Sequence, residues 1–242
     1  MNRLVLDIGN TRCKYGIFDE NDFIIDYHVT DDLDAVLIDH LCSGHAVSTI
    51  GLASTRNLEL GTIHQIAKKY HLVYIDDTVK VPIKVLYRTP ETLGRDRLAA
   101  VVGANHKYTG ENCICISAGT CITYDFIDQE GVYHGGNIAP GLQMRLEAMH
   151  AFTDKLPLVE AVYNEDVLGK STVEALQNGA LRGAIFELES FIQLMIEKFG
   201  PVRVLISGGD SNFFADRTKY QIFAHSNLIL EGLNEIMKFN GY

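Results

Sequence analysis

One pattern occurs twice in the chain, and it constrains the fold more than any other feature. Leu4-Val5-Leu6-Asp7-Ile8-Gly9-Asn10-Thr11 and Ile114-Cys115-Ile116-Ser117-Ala118-Gly119-Thr120 share an apolar run, a small polar residue, a glycine turn and a threonine. Each is followed by an alternating run that ends near an aspartate, at Phe18-Asp19 and at Tyr124-Asp125. An apolar run, a glycine turn and an alternating run predict a strand, a tight turn and a second strand. The repeat distance is too long for a short-repeat array, so the pattern predicts two similar domains. The turn-rich Thr109-Gly110-Glu111-Asn112 puts the division at 1–110 and 111–242, with the last helix free to pack back on the first domain.

Around these repeats the text alternates between strand and helix. The first half reads as strands at 3–8, 13–17 and 22–29, a helix at 31–42, a strand at 46–53, a helix at 58–70 and a strand at 72–76. An irregular stretch over 77–93 with Pro82 and Pro90 leads to a helix at 95–107. The second half continues with a strand at 131–137, a glycine-rich loop through Gly135-Gly136 and Pro140-Gly141, a helix at 141–151, a long helix at 171–198, a strand at 202–206 and a helix at 226–239. That order is an α/β fold with crossovers.

Composition narrows the function. Lys and Arg number 21 against 31 Asp and Glu, a net charge of −10, and no basic run stands out. General binding of nucleic acid or an anionic membrane is therefore not expected, and any anionic ligand must be held locally. No apolar run has membrane-spanning length and the start lacks a signal-peptide core, so a cytoplasmic protein is expected. The five cysteines form neither a disulfide framework nor a zinc motif and read as core residues, and the nine histidines show no metal-ligand spacing.

The glycine turns carry the chemistry. In Asp7-Ile8-Gly9-Asn10-Thr11, turn amides and the threonine hydroxyl suit a phosphate, while the aspartate at the strand end suits Mg²⁺ through water. An ordinary hairpin would use the same residues. Ser207-Gly208-Gly209-Asp210 follows an apolar strand, where the backbone can approach a sugar or base or simply turn tightly into a helix. Gly94-Arg95-Asp96-Arg97 sets a carboxylate between two guanidinium groups at a helix start, which suits a general base and would equally suit a charged helix surface. Gly169-Lys170-Ser171 looks like the end of a P-loop, but Asn164 stands where its first glycine should be. Ser171 or Thr172 instead reads as the cap of the long helix.

Taken in order, these motifs resemble the type III pantothenate kinase family, within the superfamily of acetate and sugar kinases, heat-shock chaperones and actin. The resemblance implies two ribonuclease-H-like (actin-like ATPase) domains, each a mixed sheet flanked by helices, with an ATP cleft between them. It implies transfer of the γ-phosphoryl group of ATP to pantothenate, the first step toward coenzyme A. Carried over by position, Asp7, Ile8, Gly9, Asn10, Thr11, Arg12, Cys13 and Lys14, with Gly119 and Thr120, would hold the ATP phosphates, and Asp7 would position Mg²⁺. Asp96 would be the base, with Tyr87, Gly94, Arg95 and Arg97 lining the acceptor pocket and Thr172 reaching it from the partner in a homodimer. Members of this family carry an aspartate at the position of Ser117, where it holds a monovalent cation, K⁺ or NH₄⁺; the serine puts that site in doubt. A kinase for another small alcohol or sugar would show the same nucleotide motifs, and a non-catalytic regulatory relative would keep the fold.

Overall fold

The computed structural model describes residues 1–9, 11–31, 33–55 and 60–242, with the backbone alone for residues 60–63. In chain order the elements are β1 (Asn2–Ile8), β2 (Cys13–Phe18), β3 (Ile24–Thr30), α1 (Ala35–Gly44), β4 (Val47–Ser54), α2 (Leu60–Lys69), β5 (His71–Tyr74), β6 (Lys84–Val85) and α3 (Arg95–Lys107). They continue with β7 (Cys113–Ala118), β8 (Cys121–Ile127), β9 (Val132–Pro140), α4 (Leu142–Ala151), α5 (Thr172–Gln177), α6 (Gly183–Phe199), β10 (Arg203–Ser207), α7 (Ser211–Ala215), β11 (Ile222–Ala224) and α8 (Leu228–Phe239). The chain forms two compact units. The first holds Met1–Gly110, Glu130–His134 and Asn227–Tyr242, and the second holds Glu111–Gln129 and Gly135–Ser226.

The sheet of the first unit runs β3-β2-β1-β4-β5, with β2 antiparallel to β1 and β3, and β4 parallel to β1 and β5. Leu4, Leu6 and Ile8 of β1 pack with Ile38 and Leu41 of α1. Val5 and Asp7 alternate to the opposite face and are also buried. A strand covered on both faces needs apolar residues at nearly every position, which is why β1 reads as one unbroken run. On that side α8 packs against α3 with almost no side chain between them. A Cβ built on Gly232 would lie 1.8 Å from the Ala99 carbonyl oxygen, and one on Gly103 would lie 2.5 Å from that of Leu228. Every residue of α3 from Arg97 to Ala104 is buried, so this helix shows no polar face in its sequence. The tail is also tied by charge: Lys238 Nζ donates to Asp22 at 2.6 Å, and Arg3 pairs with the same carboxylate.

The second unit repeats the order. Its strands are part of a six-stranded sheet ordered β11-β10-β7-β8-β9-β6, with β8 antiparallel to β7, and β10 parallel to β7 and β11. Position for position, β7, β8, β9, β10 and β11 take the places of β1, β2, β3, β4 and β5. The internal repeat of the sequence is thus a repeat of topology, the mixed sheet of a ribonuclease-H-like domain. Ile114, Ile116, Ile122, Tyr124 and Phe126 form its core with Leu181, Leu188 and Ile192. Buried Asn112 ties the start of β7 in place, donating to the carbonyls of Phe199 at 3.0 Å and Pro201 at 3.2 Å and accepting from the Gln129 amide at 3.0 Å.

Several local expectations change. The glycine-rich stretch from Gly135 to Pro140 is the second half of β9, not a loop. A Cβ on Gly136 would lie 1.8 Å from the Tyr124 carbonyl oxygen, so close passage of two strands demands a residue that breaks the alternation by which a strand is recognised. The helix expected over 171–198 contains a π-helical turn at Asn178–Arg182 between α5 and α6. Cys121 is exposed, unlike the other four cysteines. The short strands β6 and β11 have no counterpart in the sequence reading, and the first two residues of the helix expected at 58 lie outside the described residues.

Candidate active site

In the first unit the turn after β1 brings together the first group. Asp7 is 7% exposed at the strand end, and the antiparallel register sets Lys14 of β2 directly opposite it. Burial pushes its carboxyl up to about 6; the Lys14 ammonium opposes that shift, and the charge of Asp96 adds to it. Buried Asp7 therefore feels one ammonium and a second carboxylate, a local surplus of negative charge. The Gly9 amide closes the turn by donating to the Arg12 carbonyl at 3.0 Å, so that N–H is already committed. Ile8 and Cys13 are buried, Thr11 and Arg12 are exposed, and Asn10 lies outside the described residues.

The second group gathers at the start of α3. Gly94 is the N-cap residue, and a Cβ there would stand 2.5 Å from Oδ1 of Asp96. The absent side chain is what lets the Asp96 carboxylate fold back over the first turn. Arg95 donates to the Pro90 carbonyl at 2.8 Å and fixes the loop before the helix. Arg97 is 5% exposed, which excludes a merely charged helix surface. Its guanidinium carbon lies 5.8 Å from the centroid of the Tyr87 ring, within the range of a cation–π contact. Tyr133, a residue the sequence reading passed over, stacks on the same ring, with centroids 6.3 Å apart and 4° between planes. Nothing in its text marked it, since it reads as one more apolar position of a strand.

In the second unit three glycine elements meet at the end of β7. The Gly119 amide donates to the Cys121 carbonyl at 3.0 Å, and the Thr120 carbonyl accepts from the Gly141 amide at 3.0 Å. Gly208, at φ 98°, lies so close to Ala118 that a Cβ would fall 2.1 Å from its carbonyl oxygen, and the Asp210 amide donates to that oxygen at 3.1 Å. Thr120 stands exposed at this point. Ser117 is in register with Thr123 on one side and Ser207 on the other. Thr172 is exposed as the first residue of α5, behind a capping box in which the Glu174 amide donates to Ser171 Oγ at 3.2 Å and the Ser171 amide to Glu174 at 3.1 Å.

Metal chemistry must suit these donors. Among the described residues no three His, Cys, Asp or Glu side chains stand together as a ready-made metal cluster. Mg²⁺ needs none, because one carboxylate, waters and substrate phosphates complete its shell; Asp7 fits that role. A monovalent cation held by a carboxylate does not fit Ser117, whose partners in register bring only further hydroxyls. A groove of about 400 Å³ between α1 and α2, lined by Val36, Asp39, Ile66 and Lys69 among others, contains none of these groups.

The comparisons converge on one family. A family model described as type III pantothenate kinase matches residues 3–194. Proteins named type III pantothenate kinase from Phocaeicola vulgatus, Bacteroides fragilis and Christiangramia forsetii are 40%, 39% and 38% identical over 98% of this chain and 98% of their own. Among solved structures, a Baf family transcriptional activator from Campylobacter jejuni matches with TM-score 0.61 at 22% identity over 98% of both chains. The activator of 2-hydroxyisocaproyl-CoA dehydratase from Clostridium difficile, with bound ADPNP, matches with TM-score 0.52 at 11% identity over 99% of this chain and 97% of its own. At such identities these two show the fold alone.

Asp7 offers a direct test of the site's electrostatics. The carboxyl titrates near 3.8 when unfolded and at about 6 when folded, so the folded state holds its proton more tightly. Stability is therefore lost as pH rises between those values. Above the upper one the full loss is on the order of 2–3 kcal/mol. Without ligand, Asp7→Asn should be more stable than the natural chain by that order at pH 7.5, and the difference should close near pH 3.5. Urea unfolding at both pH values measures it, and a variant no more stable at pH 7.5 would contradict the strained carboxyl.

Proposed function

The chain belongs to the type III pantothenate kinase family, and we propose that it transfers the γ-phosphoryl group of ATP to the primary hydroxyl of pantothenate, giving 4′-phosphopantothenate on the way to coenzyme A. The observation that carries this is the placement of Asp96 in one unit with both neighbours the reaction needs: Asp7 and Lys14, close enough to act on one another's charge, and the Tyr87–Arg97 pair beside the same helix start.

Phosphoryl transfer asks a protein for positioning, electrostatic support and a base. Asp96 accepts the proton of the acceptor hydroxyl as its oxygen bonds to the γ-phosphorus, while the bond from that phosphorus to the bridging oxygen breaks and ADP departs. Gly94, Arg95, Arg97 and Tyr87 hold the acceptor, the guanidinium and ring presenting one charged and one apolar surface. The turn from Asp7 to Lys14 and the Gly119-Thr120 turn hold the phosphates. Asp7 would hold Mg²⁺ through water; when bound, that ion supplies positive charge to the phosphate oxygens. An acidic chain can bind ATP in this way because local donors, rather than net charge, do the work.

A homodimer completes the reading, with Thr172 of the partner subunit at the acceptor pocket. Val173 beside Thr172, and Phe186 and Leu194 of α6, are exposed apolar side chains that a dimer interface would cover. A cytoplasmic location accords with the finding that no helix among the described residues is long and apolar enough to cross a membrane.

Three measurements test this. In a coupled ADP-release assay with Mg²⁺, turnover should require pantothenate, and Asp96→Asn should lower kcat by about 10² to 10⁴; equal turnover with glucose, glycerol or no acceptor would reject the assignment. Sedimentation should give twice the 26.9 kDa monomer mass, and a fully active monomer would remove Thr172 from the site. Across a potassium series at constant ionic strength, the natural chain should show little saturable activation and Ser117→Asp should acquire it, since a carboxylate restores the missing charge. Strong activation in the natural chain, unchanged by the substitution, would assign the cation to other oxygens.

A further inference from the structure

We infer that Tyr133 is a positioning residue for the acceptor pocket, setting Tyr87 in place from behind. The inference rests on the reading of Tyr87 as a pocket residue and adds what holds it there. Between two stretches of the second unit, the five residues Glu130–His134 belong to the first. The second of them, Gly131, has a φ of 74° that suits glycine, and a Cβ there would stand 3.3 Å from Asn105 Oδ1 of α3. The Gly131 carbonyl accepts from the Lys84 amide and the Tyr133 carbonyl from the Leu86 amide, both at 3.0 Å. These bonds are the parallel pairing of β6, in which Lys84 faces Val132 and Val85 faces Tyr133.

A strand of two residues does not by itself fix the side chain that follows it. Tyr133 supplies the rest. Its ring is fully buried and parallel to that of Tyr87 at an offset-stacking distance, while Arg97 contacts the Tyr87 ring by a cation–π interaction. Tyr87 is thus held by a buried ring, a buried guanidinium and the main-chain bond of the residue before it, Leu86. An apolar residue that merely filled space would have no need of parallel rings.

The test separates ring from volume. Tyr133→Phe keeps the ring, and Tyr133→Met keeps much of the bulk without it; Tyr133→Leu serves if the methionine variant does not fold. The non-aromatic variant should raise KM for pantothenate about three- to tenfold, with kcat within threefold and KM for ATP unchanged, and Tyr133→Phe should restore the natural value. A rise in both KM values, no rise at all, or a phenylalanine variant as impaired as the methionine one would overturn the inference. A second readout needs no substrate: peptide-resolved nitration of Tyr87 by tetranitromethane should quicken several-fold in the non-aromatic variant and not in Tyr133→Phe. In the natural chain Tyr87 should react more slowly than Tyr74, which is 40% exposed; a freely reacting Tyr87 would also overturn the inference. If the natural chain showed no pantothenate-dependent turnover, the proposed function would fail while the nitration comparison still decided whether Tyr133 holds Tyr87.

Discussion

Main chains that touch with no side chain between them set the geometry of both units. At Gly232 against Ala99, Gly136 against Tyr124, Gly141 against Gly119 and Gly208 against Ala118, a Cβ would fall within about 2 Å of a carbonyl oxygen. Interiors are packed too tightly to absorb such an intrusion by small shifts. These contacts place the functional groups. The seat of α8 on α3 fixes the axis along which Asp96 is presented, and the contacts at the end of β7 hold the Gly119-Thr120 turn against the loop that begins at Gly208. The glycines are therefore as much a part of the site as the charged residues they position.

The sequence made the repeated parts of the fold legible, and the structure shows why. β1 and β7 are central strands covered on both faces, so each appears as an apolar run that ends at a glycine turn, and the matching topology of the two sheets follows from that. The extent of α3 was equally visible, although its burial was not: eight consecutive buried residues leave no periodic contrast to read. The end of β9, residues 138–140, was hidden because the two glycines and the asparagine before it and Pro140 at its end break the pattern by which a strand is recognised. The π-helical turn between α5 and α6 was hidden because Asn178 and Gly179 weaken a helix without saying which form it takes, and the distortion depends on what the turn packs against.

For the site, sequence could name residues with distinctive chemistry. Asp7, Asp96 and Arg97 stood out beside glycines, and the structure brings Asp7 and Asp96 within reach of each other's charge while burying Arg97 against Tyr87. Tyr133 could not be found in that way. Its importance depends on a pairing between β6 and β9 more than forty positions apart, and a tyrosine among apolar neighbours carries no local mark of such a contact.

The division of the chain also governs when the first unit can be completed. Its sheet is encoded by residue 74, yet the helix that covers α3 is the last segment of the chain, Asn227–Tyr242. A chain emerging from the ribosome at about 5–20 residues per second holds the uncovered face of α3 open for the whole time that the second unit is being made. The surface around Ala99 and Gly103 is then exposed to solvent or to a chaperone, and the helix carrying Asp96 gains this support only once residues 227–242 have been made. Residues far along the chain, Asn227–Tyr242, thus complete the packing of groups encoded in the first hundred.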